Sequence, residues 1–83
     1  MEEKIINIIS DALENPDVNI DSSVDNTTEW DSLGQLGILS ALDKASNGQV
    51  NDYREFNTAS SVKEIIELFS KNNINIWKLK RSF

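Results

Sequence analysis

The chain changes character at Trp30-Asp31-Ser32-Leu33-Gly34-Gln35-Leu36, where a segment rich in turn-forming residues gives way to an apolar run. Asp31 is of a type favoured at helix N-caps, and the apolar residues after it recur at helical spacing. The sequence therefore predicts that a loop becomes a helix at residue 31. The hydroxyl of Ser32 would lie at the helix start, where unpaired backbone N–H groups and the helix dipole stabilise a phosphate ester.

This stretch resembles the acyl carrier protein family, in which the serine of an Asp-Ser-Leu motif carries a 4'-phosphopantetheine arm. Residues 29–42 match the family closely, and the length and element order of residues 3–70 are similar to it. The tripeptide alone would occur by chance in roughly a few per cent of chains this short. Its position between a turn-rich loop and an apolar helix, near the middle of a small acidic chain, gives the resemblance weight.

The resemblance implies that Ser32 is the attachment site of 4'-phosphopantetheine and that the chain holds an acyl intermediate as a thioester. A phosphopantetheinyl transferase would deliver the arm from coenzyme A, and Asp31 would help that enzyme to engage. Acyl-loading and acyl-transfer enzymes are the other expected partners. The simpler interpretation of Asp31 and Ser32 is that both residues only cap a helix.

The helix predicted after the serine differs from that of carriers in fatty-acid synthesis. It carries no charge over Leu33–Leu42, where those carriers often have acidic residues. We therefore expect docking to depend on Leu33, Leu36 and Ser40 on the outward face and on close backbone approach at Gly37, with little electrostatic attraction. A specialised pathway, such as polyketide-like synthesis or acyl modification of a surface sugar, is favoured over housekeeping fatty-acid synthesis.

Two alternatives stay open. An aminoacyl or D-alanyl carrier protein would share the arm but would receive an amino acid from an adenylating ligase. The absence of the Gly-Gly-x-Ser setting common in peptide-synthesis carriers argues mildly against that version. A non-modified helical adaptor would bind a partner through the same surface without any group on Ser32.

Apolar residues at helical spacing predict a first helix over residues 3–14, which Asn15-Pro16 ends. Residues 15–30 are predicted to form a long loop. Four apolar residues are spaced to hold this loop against the core: Val18, Ile20, Val24 and Trp30.

The second helix is predicted to run from the Asp31 cap to about Ser46, with Asn47-Gly48 supplying the left-handed residue that closes it. Its inward stripe consists of Ile38, Leu39, Leu42 and Ala45. A short helix over residues 53–56 should place one or two aromatic rings on the core. The capping box Ser61-Val62-Lys63-Glu64 begins a last helix over residues 62–71.

These elements predict an all-α fold, a small four-helix bundle of three longer helices and one short helix with a long loop between helices 1 and 2. Residues 1–71 would form an acyl-carrier-like helical domain, and residues 72–83 a basic amphipathic C-terminal tail. The tail could fold back on its own domain, or it could touch an acidic partner or a membrane surface.

The composition narrows the possible chemistry. The chain has no cysteine and no histidine, which removes thiol nucleophiles, imidazole bases and the usual zinc ligands. We therefore expect no enzymatic activity and no metal site. An acidic cluster is expected to be a solvated face, because an EF-hand loop would need glycine where Asn26 stands. Its members are Asp21, Asp25, Glu29 and Asp31.

The charge is distributed unevenly along the chain. Up to residue 70 there are fourteen acidic and four basic residues, a formal charge of -10, whereas four basic residues come after it. The acidic part would be repelled by nucleic acid and attracted to basic patches on proteins. No run reaches the length of a membrane span and no secretion signal is recognisable, so we expect a cytoplasmic monomer without a membrane span.

Overall fold

The structure, a computed structural model, describes residues 1–76. It consists of α1 (Glu2–Leu13), α2 (Ser32–Ala45), the 3-10 helices η1 (Val50–Asp52) and η2 (Arg54–Thr58), and α3 (Val62–Lys71). Within this range no strand forms, and a single isolated antiparallel bridge joins Ser23 to Ser61. The all-α class is therefore confirmed for the described residues, and the three predicted longer helices agree with the observed ones to within one residue at each end.

The predicted short helix over residues 53–56 is found as η2 and is not an α-helix. The backbone N–H of Phe56 donates to the Tyr53 carbonyl and that of Ala59 to the Phe56 carbonyl, both at 3.3 Å, which is the 3-10 pattern. The segment is too short to propagate an α-helix, and its conformation is fixed by burial of Phe56. The ring of Phe56 meets that of Phe69 edge to face at a centroid distance of 5.5 Å. The described residues thus contain three α-helices, not four.

The core lies between the three α-helices and η2. Each α-helix buries one stripe at helical spacing, because its apolar residues recur at i, i+3 or i+4. The buried residues are Ile5, Ile9 and Leu13 of α1, Ile38, Leu42 and Ala45 of α2, and Val62, Ile65 and Phe69 of α3. Leu39, which was expected inside this stripe, is only partly buried. The first half of α2 therefore has a wide face that other elements do not cover.

All three α-helices end in the same way. A residue at positive φ lies just beyond the last turn of each helix: Glu14 at 54°, Asn47 at 61° and Asn73 at 54°. The next N–H then reaches back five residues, as from Gly48 to the Asp43 carbonyl at 2.8 Å and from Ile74 to the Phe69 carbonyl at 2.9 Å. The predicted closure of α2 at Asn47-Gly48 is confirmed.

The loop between α1 and α2 packs against the core at three of the four expected residues. Val18 and Trp30 are buried, and Ile20 packs partly against the core. The expectation for Val24 is wrong, because its side chain is 43% exposed. Here the chain is held by its backbone, since the Val24 N–H donates to the Ser60 carbonyl at 3.0 Å.

The predicted C-terminal tail lies partly outside the described residues, which end at Ile76. Within the described part, Ile74 is buried and lies directly after α3. No helix in residues 1–76 is long and apolar enough to cross a membrane.

Candidate functional site

Ser32 is the first residue of α2 and is exposed to solvent. Its hydroxyl makes no hydrogen bond to any other residue in the described part of the chain. The hydroxyl is thus neither buried nor engaged in the packing of the helix start. A visiting protein could reach it without unfolding any element.

Asp31 holds the backbone in place beside this hydroxyl. Its side-chain Oδ1 accepts a hydrogen bond from the Gly34 N–H at 2.9 Å, and its carbonyl accepts from the Gln35 N–H at 2.8 Å. This is the predicted N-cap, and it gives α2 a fixed first turn. The capping role of Asp31 is therefore present, whatever else its exposed carboxylate does.

The residues predicted to dock partners differ in their exposure to solvent. Leu33 is 78% exposed and Leu36 is 64% exposed, and Ser40 is exposed further along the same helix. Gly37 is half-buried on the side that faces α1, where an added Cβ would lie 3.8 Å from the Ala12 carbonyl oxygen. The first three residues form an outward surface next to the serine, and Gly37 lies at its margin.

Gly34 has a steric reason to be glycine. An added Cβ would overlap the Glu29 carbonyl oxygen and lie 2.9 Å from Leu13 Cδ2. The start of α2 therefore packs against the preceding loop and the end of α1 more closely than any side chain allows. This contact fixes the position of the Ser32 end of the helix.

An open groove of about 660 Å³ runs beside Ser32. One wall is formed by α2 and the loop before it, and the other by the end of η2 and the residues that follow it. The lining residues are Val24, Trp30, Asp31, Ser32, Gln35, Leu36, Leu39, Asn57, Thr58, Ala59 and Ser60. The groove has the apolar side chains of Leu36 and Leu39 along α2 and polar groups on the opposite wall, so it suits a ligand that is partly apolar and partly polar.

Gln35 connects the two walls of this groove, a role that the sequence motif did not predict. Its Oε1 accepts from the Trp30 indole Nε1–H at 2.6 Å. Its Nε2 lies 3.2 Å from the Phe56 carbonyl, 3.4 Å from that of Asn57 and 3.0 Å from that of Ala59. A usable signal was present in the sequence, because a buried tryptophan needs an acceptor for its N–H and Gln35 lies five residues later.

The acidic residues predicted to form a cluster have different partners in the structure. Within the described residues, no three of the types Asp, Glu, His and Cys come together as a metal site. Asp21 forms an exposed ion pair with Lys63 at 3.3 Å, and Glu29 accepts from the Asn15 side chain at 2.9 Å. The acidic side chains are thus directed to separate partners.

Comparison of the chain with protein-family models, with curated proteins and with solved structures gives no match.

Proposed function

We propose that this protein is an acyl carrier protein of a specialised pathway, which holds an acyl intermediate as a thioester on a 4'-phosphopantetheine arm attached to Ser32. The observation that carries the proposal is the exposed, unbonded Ser32 hydroxyl at the capped start of α2, next to an open groove. Asp31 caps the helix, so the Ser32 hydroxyl has no part in the cap.

The surroundings of Ser32 are compatible with an attached 4'-phosphopantetheine arm. A phosphate ester on its hydroxyl would lie at the N-terminal end of a helix of 14 residues, where the dipole favours an anion. The groove provides room beside the attachment point for a chain that is partly polar and partly apolar. When bound, the arm supplies a thiol that carries the acyl group, and the protein contributes attachment, position and a surface for partners.

Partner enzymes would meet this surface through Leu33 and Leu36. The absence of charge from Leu33 to Leu42 means that contact would depend on apolar burial and fit. The partners are a phosphopantetheinyl transferase, acyl-loading enzymes and acyl-transfer enzymes, and the carrier itself catalyses nothing. Tethering gives each docked enzyme a high effective concentration of the acyl group.

We also propose a fold type, an oligomeric state and a cellular location for this carrier. The order of α1, long loop, α2, η2 and α3 would correspond to the four-helix carrier bundle, with η2 in the place of the short helix. The protein would act as a cytoplasmic monomer. Its acidic body is expected to favour proteins with basic patches over nucleic acid.

The test is modification by a broad-specificity transferase. The wild-type chain, incubated with coenzyme A and the enzyme, should gain one phosphopantetheine by intact mass. Ser32→Ala should gain none, while Ser70→Ala, which removes another exposed helical serine, should be modified like the wild type. The proposal fails if the wild type gains no mass or if Ser32→Ala still does while remaining folded by circular dichroism.

The exposed Leu33 and Leu36 favour one further candidate, a helical adaptor that is not modified. An adaptor would keep its partner when Ser32 is changed to Ala and would lose it when Leu33 is changed to Ala. Protein isolated from its native cells would then have the unmodified mass. Loading assays with acyl and aminoacyl ligases separate the acyl carrier from an aminoacyl or D-alanyl carrier.

A further inference from the structure

Gln35 joins three parts of the molecule through the hydrogen bonds of one side chain. Its side chain extends from the first turn of α2 to Trp30 in the preceding loop, to the carbonyls of Phe56 and Asn57 in η2, and to that of Ala59 just after η2. We call this set of hydrogen bonds the Gln35 latch. Trp30 Nε1–H can only donate, so it fixes the amide orientation that directs Nε2 to the carbonyls.

The latch lies between the open groove and the core. The groove is lined by Gln35 and Leu39, whereas Ile38, on the adjoining face of α2, is completely buried. On the other wall, Phe56 is buried and the residues after it line the groove. A chain passing from the groove into the core between α2 and η2 would have to separate the groups that Gln35 holds together.

Separating α2 from η2 would be unfavourable because it would break the hydrogen bonds of the Gln35 latch. The glutamine amide, the indole N–H and the carbonyls of Asn57 and Ala59 would lose these hydrogen bonds just where an apolar chain enters and excludes water. The Phe56 carbonyl would keep only the bond from the Ala59 N–H. An alkyl chain offers none of these groups a hydrogen bond. A short or polar group can instead remain in the groove, where Thr58 and Ser60 add hydroxyl groups to the wall.

We propose that Gln35 is a specificity-determining residue that keeps the cargo of Ser32 in the surface groove and excludes long alkyl chains from the core. This inference rests on the proposed function and names its cargo class, which is short or polar acyl groups. Gln35 acts here by holding Trp30 and the segment 56–59 in position, and takes no part in any chemical step.

The experiment loads Ser32 with acetyl- or octanoyl-phosphopantetheine, using the corresponding acyl-coenzyme A and a transferase. Methyl NMR spectra of Ile38, Leu42 and Ile65 then report whether the chain enters the core. In the wild type, these methyl shifts should be the same for both cargoes. In Gln35→Met, which keeps the side-chain length but removes all the hydrogen bonds, octanoyl should shift them and acetyl should not.

Lys44→Met is the matched control, because it introduces the same side chain on α2 at an exposed residue. It should behave like the wild type. Gln35→Glu is the second variant, since its carboxylate can accept from Trp30 but cannot donate to the carbonyls, and it should respond to octanoyl as Gln35→Met does. A residue with only a structural role would lower stability equally for both cargoes and give no dependence on chain length.

The outcomes separate the two proposals. If intact mass shows no adduct on wild-type Ser32, the carrier function fails and the cargo assignment fails with it. If the adduct forms but octanoyl shifts the core methyls of the wild type, the carrier function stands and the latch proposal is overturned. The wild-type comparison decides this even if the Gln35 variants do not fold.

Discussion

The starts of α2 and α3 have the same kind of N-cap, but they differ in whether the first helical residue is buried. At α3, the Ser61 hydroxyl accepts from the Glu64 N–H at 3.1 Å, and the Glu64 carboxylate accepts from the N–H and hydroxyl of Ser60, both at 2.9 Å. The first residue of α3, Val62, is then completely buried. At α2, Asp31 forms an equivalent cap, yet the first residue, Ser32, is exposed.

Capping therefore accounts for Asp31 and Ser61 but not for the residues after each of them. After Ser61 the chain turns its apolar residues inward, so the start of α3 contributes to stability. After Asp31 it leaves a hydroxyl and two leucines in solvent, which adds nothing to the core. Neighbouring exposed apolar side chains are typical of a surface that meets partners.

The largest expected difference between the two helix starts is in side-chain burial. Ile65→Ala removes a completely buried side chain from α3 and should lower the free energy of unfolding by about 2–5 kcal/mol. Leu36→Ala in the first half of α2 should change it by no more than about 0.5 kcal/mol. Urea unfolding followed by circular dichroism measures both values. A large loss of stability in Leu36→Ala would mean that this side chain belongs to the core.

The two glycines of α2 give the next largest contrast. Gly34→Ala should destabilise the fold by about 1–3 kcal/mol, because the new methyl group overlaps the Glu29 backbone. Gly37→Ala meets only an ordinary contact and should be neutral or stabilising by up to about 1 kcal/mol, since alanine favours helix. Thermal unfolding of both variants checks this.

Gly37→Ala also tests the docking prediction for that residue. If partners approach the backbone there, the variant should be as stable as the wild type and yet be modified more slowly by the transferase. Unchanged modification kinetics in the stable variant would remove Gly37 from the docking surface.

The N-caps Asp31 and Ser61 should contribute similarly to the free energy of unfolding, and should differ in their effect on modification by the transferase. Asp31→Ala and Ser61→Ala should each cost about 1 kcal/mol of unfolding free energy, because each removes an N-cap acceptor. Asp31→Asn keeps an acceptor but loses the charge near the helix dipole, and should cost about 0.5 kcal/mol. Denaturant titrations measure these changes.

Transferase kinetics then separate the two roles of Asp31. If its charge helps the enzyme to engage, Asp31→Asn should be modified more slowly than Ser61→Ala, although it is the more stable variant. Equal rates for Asp31→Asn and the wild type would leave Asp31 with its capping role alone.

The sequence was sufficient for the helices because their signals are local. Periodicity, the Asp31 and Ser61 caps and the Asn47-Gly48 ending all depend on residues within a few positions of one another, and the structure agrees with each. The predicted capping box at Ser61–Glu64 forms, but one of its two hydrogen bonds has a different partner. Glu64 reaches Ser60, one residue before the Ser61 cap, because the chain is extended there and paired near Ser23.

The features that local signals could not predict depend on contacts between distant segments. The outward side chain of Val24 results from a backbone bond to Ser60, 36 residues away along the chain. The role of Gln35 depends on carbonyls 21 to 24 residues further on. The place of η2 depends on the contact of Phe56 with Phe69, 13 residues further on. The groove beside Ser32 is made by such contacts, so the place of Ser32 at the capped start of α2 was predictable and its surroundings were not.

The smallest expected effect is a pH response specific to the start of α3. Hydrogen bonds from the Ser60 backbone and then its side chain lower the pKa of Glu64, and the first turn of α2 contains no acidic residue. A carboxyl group with a lowered folded pKa contributes stability above its unfolded pKa and loses it as the pH falls through the folded pKa. Because Glu64 is exposed, solvent screening keeps this contribution below about 1 kcal/mol.

Glu64→Gln keeps an oxygen acceptor for Ser60 but removes the titration. Its urea midpoint should lie slightly below that of the wild type near neutral pH, and the two should converge as the pH falls through the lowered pKa of Glu64, where the wild-type carboxylate becomes protonated. Ser32→Ala, which changes no capping contact at α2, should track the wild-type curve throughout. A constant difference between Glu64→Gln and the wild type would show that the Glu64 hydrogen bonds, and not its charge, stabilise α3. The comparison of the two helix starts would then depend on burial alone.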